Sequence, residues 1–246
     1  MEAAKSMKKM QLEMGSKNPL VVMDDADLNI AVTCATNGAY GGTGQKCTAS
    51  SRLIVHEKVY KEFIEKLIES ISALKVGHAL EEGSQMGPVS SETQLQSNLD
   101  YIEMGKKEAK LAYGGNPMNM RTPGYYMEPT LFIDGDNKST INQEEMFGPI
   151  ACVIPVKSYE EGLEVANDTI FGLSSGIVTQ SLSKAADFKK NIKTGVTTVN
   201  LPTAGLDYHV PFGGRKASSF GPREQGTYAH EFYTHVKTAY VSPGKI

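Results

Sequence analysis

The residue of this chain best suited to covalent chemistry is a cysteine. Cys47 stands in Gly44-Gln45-Lys46-Cys47-Thr48-Ala49-Ser50-Ser51-Arg52, at a glycine-rich junction between an expected helix and an expected strand. A thiol at such a junction is accessible and lies beside a lysine, and both conditions favour the thiolate nucleophile. The other reading is a small buried hydrophobe, the commoner fate of a free cysteine. A second candidate is Glu13, in Leu12-Glu13-Met14-Gly15-Ser16-Lys17-Asn18-Pro19. A carboxylate in an otherwise apolar strand end is either paired or functional. Gln143-Glu144-Glu145-Met146-Phe147-Gly148-Pro149 joins two acids to an aromatic residue and a turn. Read alone, it is a helix end followed by a Gly-Pro turn. Gly42-Thr43-Gly44 follows a helix instead of a strand and lacks a third glycine, so it is not a dinucleotide loop. The five histidines are scattered, and none forms a metal-ligand pattern. No metal is expected.

These residues need a scaffold. A chain of 246 residues suffices for one large domain or two small ones. Its 40% hydrophobic and 22% charged residues are those of a globular protein, and no apolar run approaches a membrane span. A net charge of −3 gives no reason to expect nucleic acid or an anionic membrane as partner. Three cysteines, none in CxxC spacing, and no secretory leader suggest free thiols in a reducing, cytoplasmic compartment. Helices are expected over 26–40, 57–75, 91–110, 158 onward and 181–192. The clearest is 57–75, where Tyr60, Phe63, Ile64, Leu67, Ile68 and Ile71 repeat at three and four. Ser91-Glu92-Thr93-Gln94 and Ser158-Tyr159-Glu160-Glu161 read as capping boxes. Strands are expected over 10–14, 50–56, 110–113, 127–133, 151–157, 176–179, 195–200 and, at the end, 232–241. The alternation means an α/β fold with an open, largely parallel sheet and flanking helices. A terminal strand has an unpaired edge and suits pairing with another subunit.

Taken together, the motifs resemble one family. Glu13 in EMGSKNP, Cys47 in GQKC, Glu145 and Phe147 in EEMFGP, Asn167 to Gly176 in NDTIFGLSSG, Asn200 in GVTTVN and Pro211 to Lys216 in PFGGRK stand in the order found in aldehyde dehydrogenases. The resemblance covers nearly the whole chain and is to the C-terminal half of that family. A narrower resemblance, in CTASSRL, LPTAGLDYH and KASSFGPRE, is to the branch that oxidises 2-oxoglutarate semialdehyde (2,5-dioxopentanoate). Ser16, where the family usually has glycine, and Ser219 to Pro222, where it has a shorter run, depart from the broad pattern and fit that branch.

The resemblance implies the rest. Residues 1–10 are expected to be a remnant of the cofactor-binding domain, 11–222 the catalytic domain, and 223–246 a tail whose strand joins a homo-oligomer. Cys47 is the expected nucleophile, forming a thiohemiacetal with a small-molecule aldehyde and then a thioester. Glu13 is the expected general base for thioester hydrolysis, a role that apolar surroundings would suit by raising its pKa. Glu145 is expected to accept from the nicotinamide ribose hydroxyls of NAD or NADP, with Phe147 packed beside it. Asn200, Leu201 and Phe212 are expected near the substrate pocket. Most of the family's cofactor domain is expected to be absent from these 246 residues, so a scaffold or fragment without turnover is the alternative.

Overall fold

The computed structural model describes residues 2–244. In chain order the elements are α1 (Glu2–Lys5), β1 (Leu12–Glu13), β2 (Asn18–Val22), α2 (Leu28–Ala39), β3 (Ser50–His56), α3 (Glu57–Ser72), α4 (Glu92–Glu108), β4 (Lys110–Tyr113), β5 (Pro117–Met118), β6 (Tyr126–Met127), β7 (Thr130–Ile133), α5 (Thr140–Gln143), β8 (Ile150–Val156), α6 (Tyr159–Asn167), β9 (Ser174–Val178), α7 (Leu182–Asn191), β10 (Val196–Val199), β11 (Ser219–Phe220) and α8 (Ala229–Tyr233). Seven strands form one sheet in the order β10-β9-β2-β3-β8-β7-β4. All neighbours are parallel except β4, which runs antiparallel to β7 at one edge. This is the open, largely parallel α/β sheet expected.

Helices cover both faces, so the inner strands read as continuous apolar runs. Successive side chains of a strand point to opposite faces. Leu20 and Val22 therefore pack with Leu53 and Val55 beneath α2 and α3, while Val21 and Ile54 pack with Phe188 and Ile192 on the other face. The periodic residues Phe63, Leu67 and Ile71 of α3 are fully buried. Ser91, Ser158 and Ser181 each cap a helix by accepting a backbone N–H. Gln94, however, does not close its capping box. Its side-chain amide donates instead to Asn98 Oδ1 and to the carbonyls of Met146 and Phe147.

Two expectations are corrected. The central strand β2 lies where no element was expected, because Asn18-Pro19 reads as a chain breaker. Proline is tolerated there because the β2–β3 register shifts between Asn18 and Pro19, an irregularity of the kind that accommodates proline in a sheet. The terminal strand expected over 232–241 does not form: α8 ends at Tyr233, and 234–244 carry no regular element. A strand is made by its ladder partner, and within the chain this segment has none. Val236, Tyr240 and Val241 are left exposed. The expected strand near Glu13 does form, as β1 paired antiparallel with β11. Met1 of the expected first segment and residues 245–246 of the expected tail lie outside the described residues.

Candidate active site

The segments leading into β2, β3 and β8 converge, because those three strands are parallel neighbours. Residues 13–17 precede β2, 41–49 precede β3, and 144–149 precede β8. Sequence-distant candidates thus meet at the amino ends of the strands. Open α/β sheets more often bind ligands at the carboxyl ends.

Backbone contact holds the cluster together. Ser16 N–H donates to Glu145 Oε1 at 2.9 Å. A Cβ on Gly15 would overlap the other Glu145 oxygen, so only glycine leaves room for this carboxylate. Beyond α2 the chain turns through Gly42, Thr43 and Gly44, all with φ near +60°. Gly44 packs directly on the Gly148 carbonyl, where any Cβ would collide. That close approach docks the cysteine loop onto the Glu145–Phe147 turn, which Gln94 holds from α4. Phe147 itself has φ of 51° and a half-exposed ring.

Cys47 is exposed, while Cys34 and Cys152 are buried. Burial pushes those two thiols up to about 11. The thiol of Cys47 is also raised, first by the protein packed around it, then by the charges of Glu13 and Glu145. Two backbone N–H groups, of Cys47 and Thr48, oppose the rise. The Lys46 side chain lies along Gly42, and the charges named at the sulfur are those of Glu13 and Glu145. The charges of Glu13 and Glu145 thus both reach the Cys47 thiol, although the three residues come from separate segments of the chain.

Glu13 is partly buried, and desolvation raises its pKa, with the Glu224 charge acting in the same direction. A hydrogen bond from Ser219 and the charge of Arg223 act against it. Glu13 Oε2 is buried and meets no hydrogen-bond partner among the described residues. Ser219, Arg223 and Glu224 stand in the KASSFGPRE motif, but no site role was expected of them. The pairing of β1 with β11, which local pattern does not show, brings this segment to Glu13.

The expected pocket residues separate. Phe212 pairs its backbone with Glu224, and the adjoining Gly213 borders the Glu13 carboxylate. Leu201 is exposed. Asn200 is elsewhere: β10 runs parallel to β9, which carries Asn200 to the carboxyl end of the sheet. Its side chain accepts from Thr179 N–H and donates to Thr179 O, so its amide is committed there. Behind the site lie two buried cations. Arg52 is fully buried and satisfied, donating to Lys17 O, Asn137 Oδ1, Val165 O and Ala166 O. Lys17 is equally buried, yet its Nζ meets no hydrogen-bond partner among the described residues. Desolvation, then the Arg52 charge, pull its pKa down to about 7.

The Glu145–Phe147 turn fits a hydroxyl-rich cofactor. A carboxylate offers about four acceptor directions, and within the chain Glu145 spends one on Ser16. The exposed Phe147 ring adds an apolar surface beside it.

Fold and site together define an α/β protein with an exposed cysteine whose thiol feels the charges of two partly buried carboxylates. The chain belongs to the aldehyde dehydrogenase family, whose model matches residues 1–239. It is 44% identical to the alpha-ketoglutaric semialdehyde dehydrogenase of Bacillus subtilis, over 96% of this chain and 49% of that protein. It is likewise 44% identical to the alpha-ketoglutarate semialdehyde dehydrogenase of Haloferax volcanii, over 98% of this chain and 50% of that one. Its fold matches the aldehyde dehydrogenase of Bacillus cereus in complex with NAD+, with a TM-score of 0.94 at 36% identity, over 99% of this chain and 49% of that structure. The chain thus spans about half the length of the relatives it matches.

Proposed function

We propose that this chain carries the catalytic half-site of an NAD(P)-dependent aldehyde dehydrogenase acting on 2-oxoglutarate semialdehyde. The observation that carries the reading is the exposure of Cys47, alone of three cysteines, with the charges of Glu13 and Glu145 acting on its thiol. The Cys47 thiolate adds to the aldehyde carbon, and the new oxyanion takes a hydrogen bond from backbone N–H. The nicotinamide cofactor supplies the hydride acceptor. Loss of hydride leaves an acyl thioester on Cys47. Glu13, with its pKa raised, takes a proton from water as that water attacks the thioester. Carboxylate product leaves, and Cys47 is restored. Glu145 and Phe147 orient the cofactor ribose. Phe212 borders the aldehyde beside Glu13. The relatives' names support the substrate. Free thiols support a reducing compartment such as the cytoplasm. The alternating apolar tail, exposed at Val236, Tyr240 and Val241, supports a homo-oligomer joined through it.

A second reading is that these 246 residues alone form a scaffold without turnover. The raised Cys47 thiol favours it, since burial and the charges of Glu13 and Glu145 act against the thiolate. The test mixes purified chain with 2-oxoglutarate semialdehyde and NAD or NADP and follows absorbance of the reduced cofactor. Turnover lost in Cys47→Ala supports the first reading, and turnover that survives it removes Cys47 as nucleophile. No turnover in the native chain supports the scaffold.

A further inference from the structure

Three consecutive carbonyls accompany the sulfur, and buried side chains from elsewhere in the fold hold all three. Cys47 O accepts from Asn18 Nδ2 at 2.8 Å, and Ala49 O from the same nitrogen at 2.9 Å. Thr48 O, between them, accepts from Thr203 Oγ1 at 2.7 Å. Asn18 Oδ1 accepts from Ser174 N–H at 2.9 Å. Asn18 is 1% exposed, so no water competes for these groups. Its oxygen faces an obligate donor and its nitrogen two obligate acceptors, which admits one orientation of the amide.

That orientation has a consequence at the thiol. Cys47 C=O and Thr48 N–H belong to one planar, trans peptide unit, so they point in opposite directions. Asn18 draws the carbonyl into the core, at the first residue of β2. The Thr48 N–H of the same unit therefore points away from Asn18. The N–H groups of Cys47 and Thr48 are the two that hold the thiol down against burial and against two carboxylates. No other side chain of this length carries two N–H donors and an acceptor. Serine keeps one donor, and aspartate keeps none when ionised.

We propose that Asn18 is the positioning residue for Cys47, aiming the Thr48 N–H at the sulfur by clamping the Cys47–Thr48 peptide from behind. The assignment rests on the reading of Cys47 as the nucleophile. Asn18 touches neither substrate nor cofactor, and its effect is carried entirely by the peptide it holds.

The test is the pH profile of iodoacetamide alkylation at Cys47, read peptide by peptide by mass spectrometry on the 246-residue chain. It needs no cofactor. In Asn18→Ala the profile moves up by about one pH unit, which slows alkylation about tenfold at a pH below both midpoints. Asn18→Ser, which retains one donor and a smaller cavity, gives a smaller upward shift and serves if Asn18→Ala does not fold. Ser175→Ala is the structural control. It deletes an equally buried hydroxyl of the same strand as Ser174, bonded to Thr194 Oγ1 at 2.7 Å and away from Asn18 and the Cys47–Thr48 peptide, and it leaves the profile in place. Wild-type profiles in the folded Asn18 variants overturn the proposal. So does an equal shift in Ser175→Ala, which would mean general loosening. Failure of the underlying reading looks different: native Cys47 would alkylate normally, and aldehyde with cofactor would neither protect nor acylate it.

Discussion

Lys17 offers the sharpest test of the buried chemistry behind the site. Its ammonium is inside the protein with no hydrogen-bond partner among the described residues, and its pKa falls from 10.5 to about 7. That fall corresponds to roughly 5 kcal/mol against the charged form in the fold. The sign follows from proton counting. Between pH 7 and 10.5 the unfolded chain holds a proton on Lys17 that the folded chain has released, so stability rises with pH across that window. Below pH 7 both states are charged, and the penalty is complete. Lys17→Met keeps the stem volume and removes the charge. At pH 6 the variant is expected to be more stable by about 1–4 kcal/mol, the usual gain when an apolar side chain replaces a buried ionic group. The advantage shrinks by up to about 1.4 kcal/mol per pH unit between pH 7 and 10. Urea unfolding of both proteins at half-unit pH steps, monitored by circular dichroism, reads the difference directly. Parallel stability curves for the two proteins would refute the reasoning, since Lys17 would then titrate as it does in water.

Arg52→Met makes the opposite prediction from the same neighbourhood: it strips four satisfied acceptors and should cost about 3–5 kcal/mol in the same urea assay. Gly15→Ala forces Glu145 aside and breaks the 2.9 Å bond from Ser16. Loss of a carboxylate position held by a charge-assisted bond is expected to raise KM for the nicotinamide cofactor about tenfold or more. Glu13→Gln should slow thioester hydrolysis by about 10²–10⁴-fold, so that an acyl adduct accumulates on Cys47 in mass spectra. In the native protein the hydrolytic step should gain rate as pH rises through the Glu13 pKa, which desolvation holds above its ordinary 4.5.

Helices and their caps were legible because both are local. The three-and-four repeat of Phe63, Leu67 and Ile71 and the hydroxyls of Ser91, Ser158 and Ser181 depend on neighbours within one turn, and each stands where the pattern puts it. The candidate residues Cys47, Glu13 and Glu145 could be named for another reason: their motifs occur in a fixed order, which needs no geometry. β2 was hidden by Pro19, whose tolerance depends on a register shift against β3. Asn200 was misplaced because strand direction, which a motif does not carry, sends it to the far end of the sheet.

The amino-acid sequence by itself determined the family and the candidate groups: a cysteine at a glycine-rich junction, an acid in an apolar run, and an acidic aromatic turn. Tertiary structure alone decided how those groups are tuned. Glu13 is desolvated beside residues 219–224, Glu145 is held from Ser16 across the sheet, and Cys47 takes its charge environment from both. Lys46, the neighbour in sequence, lies along Gly42, while Asn18, far from Cys47 in the chain, holds its peptide. The reason is physical: a pKa and a peptide orientation depend on what is buried nearby in space, and a parallel sheet brings together segments that the chain keeps far apart.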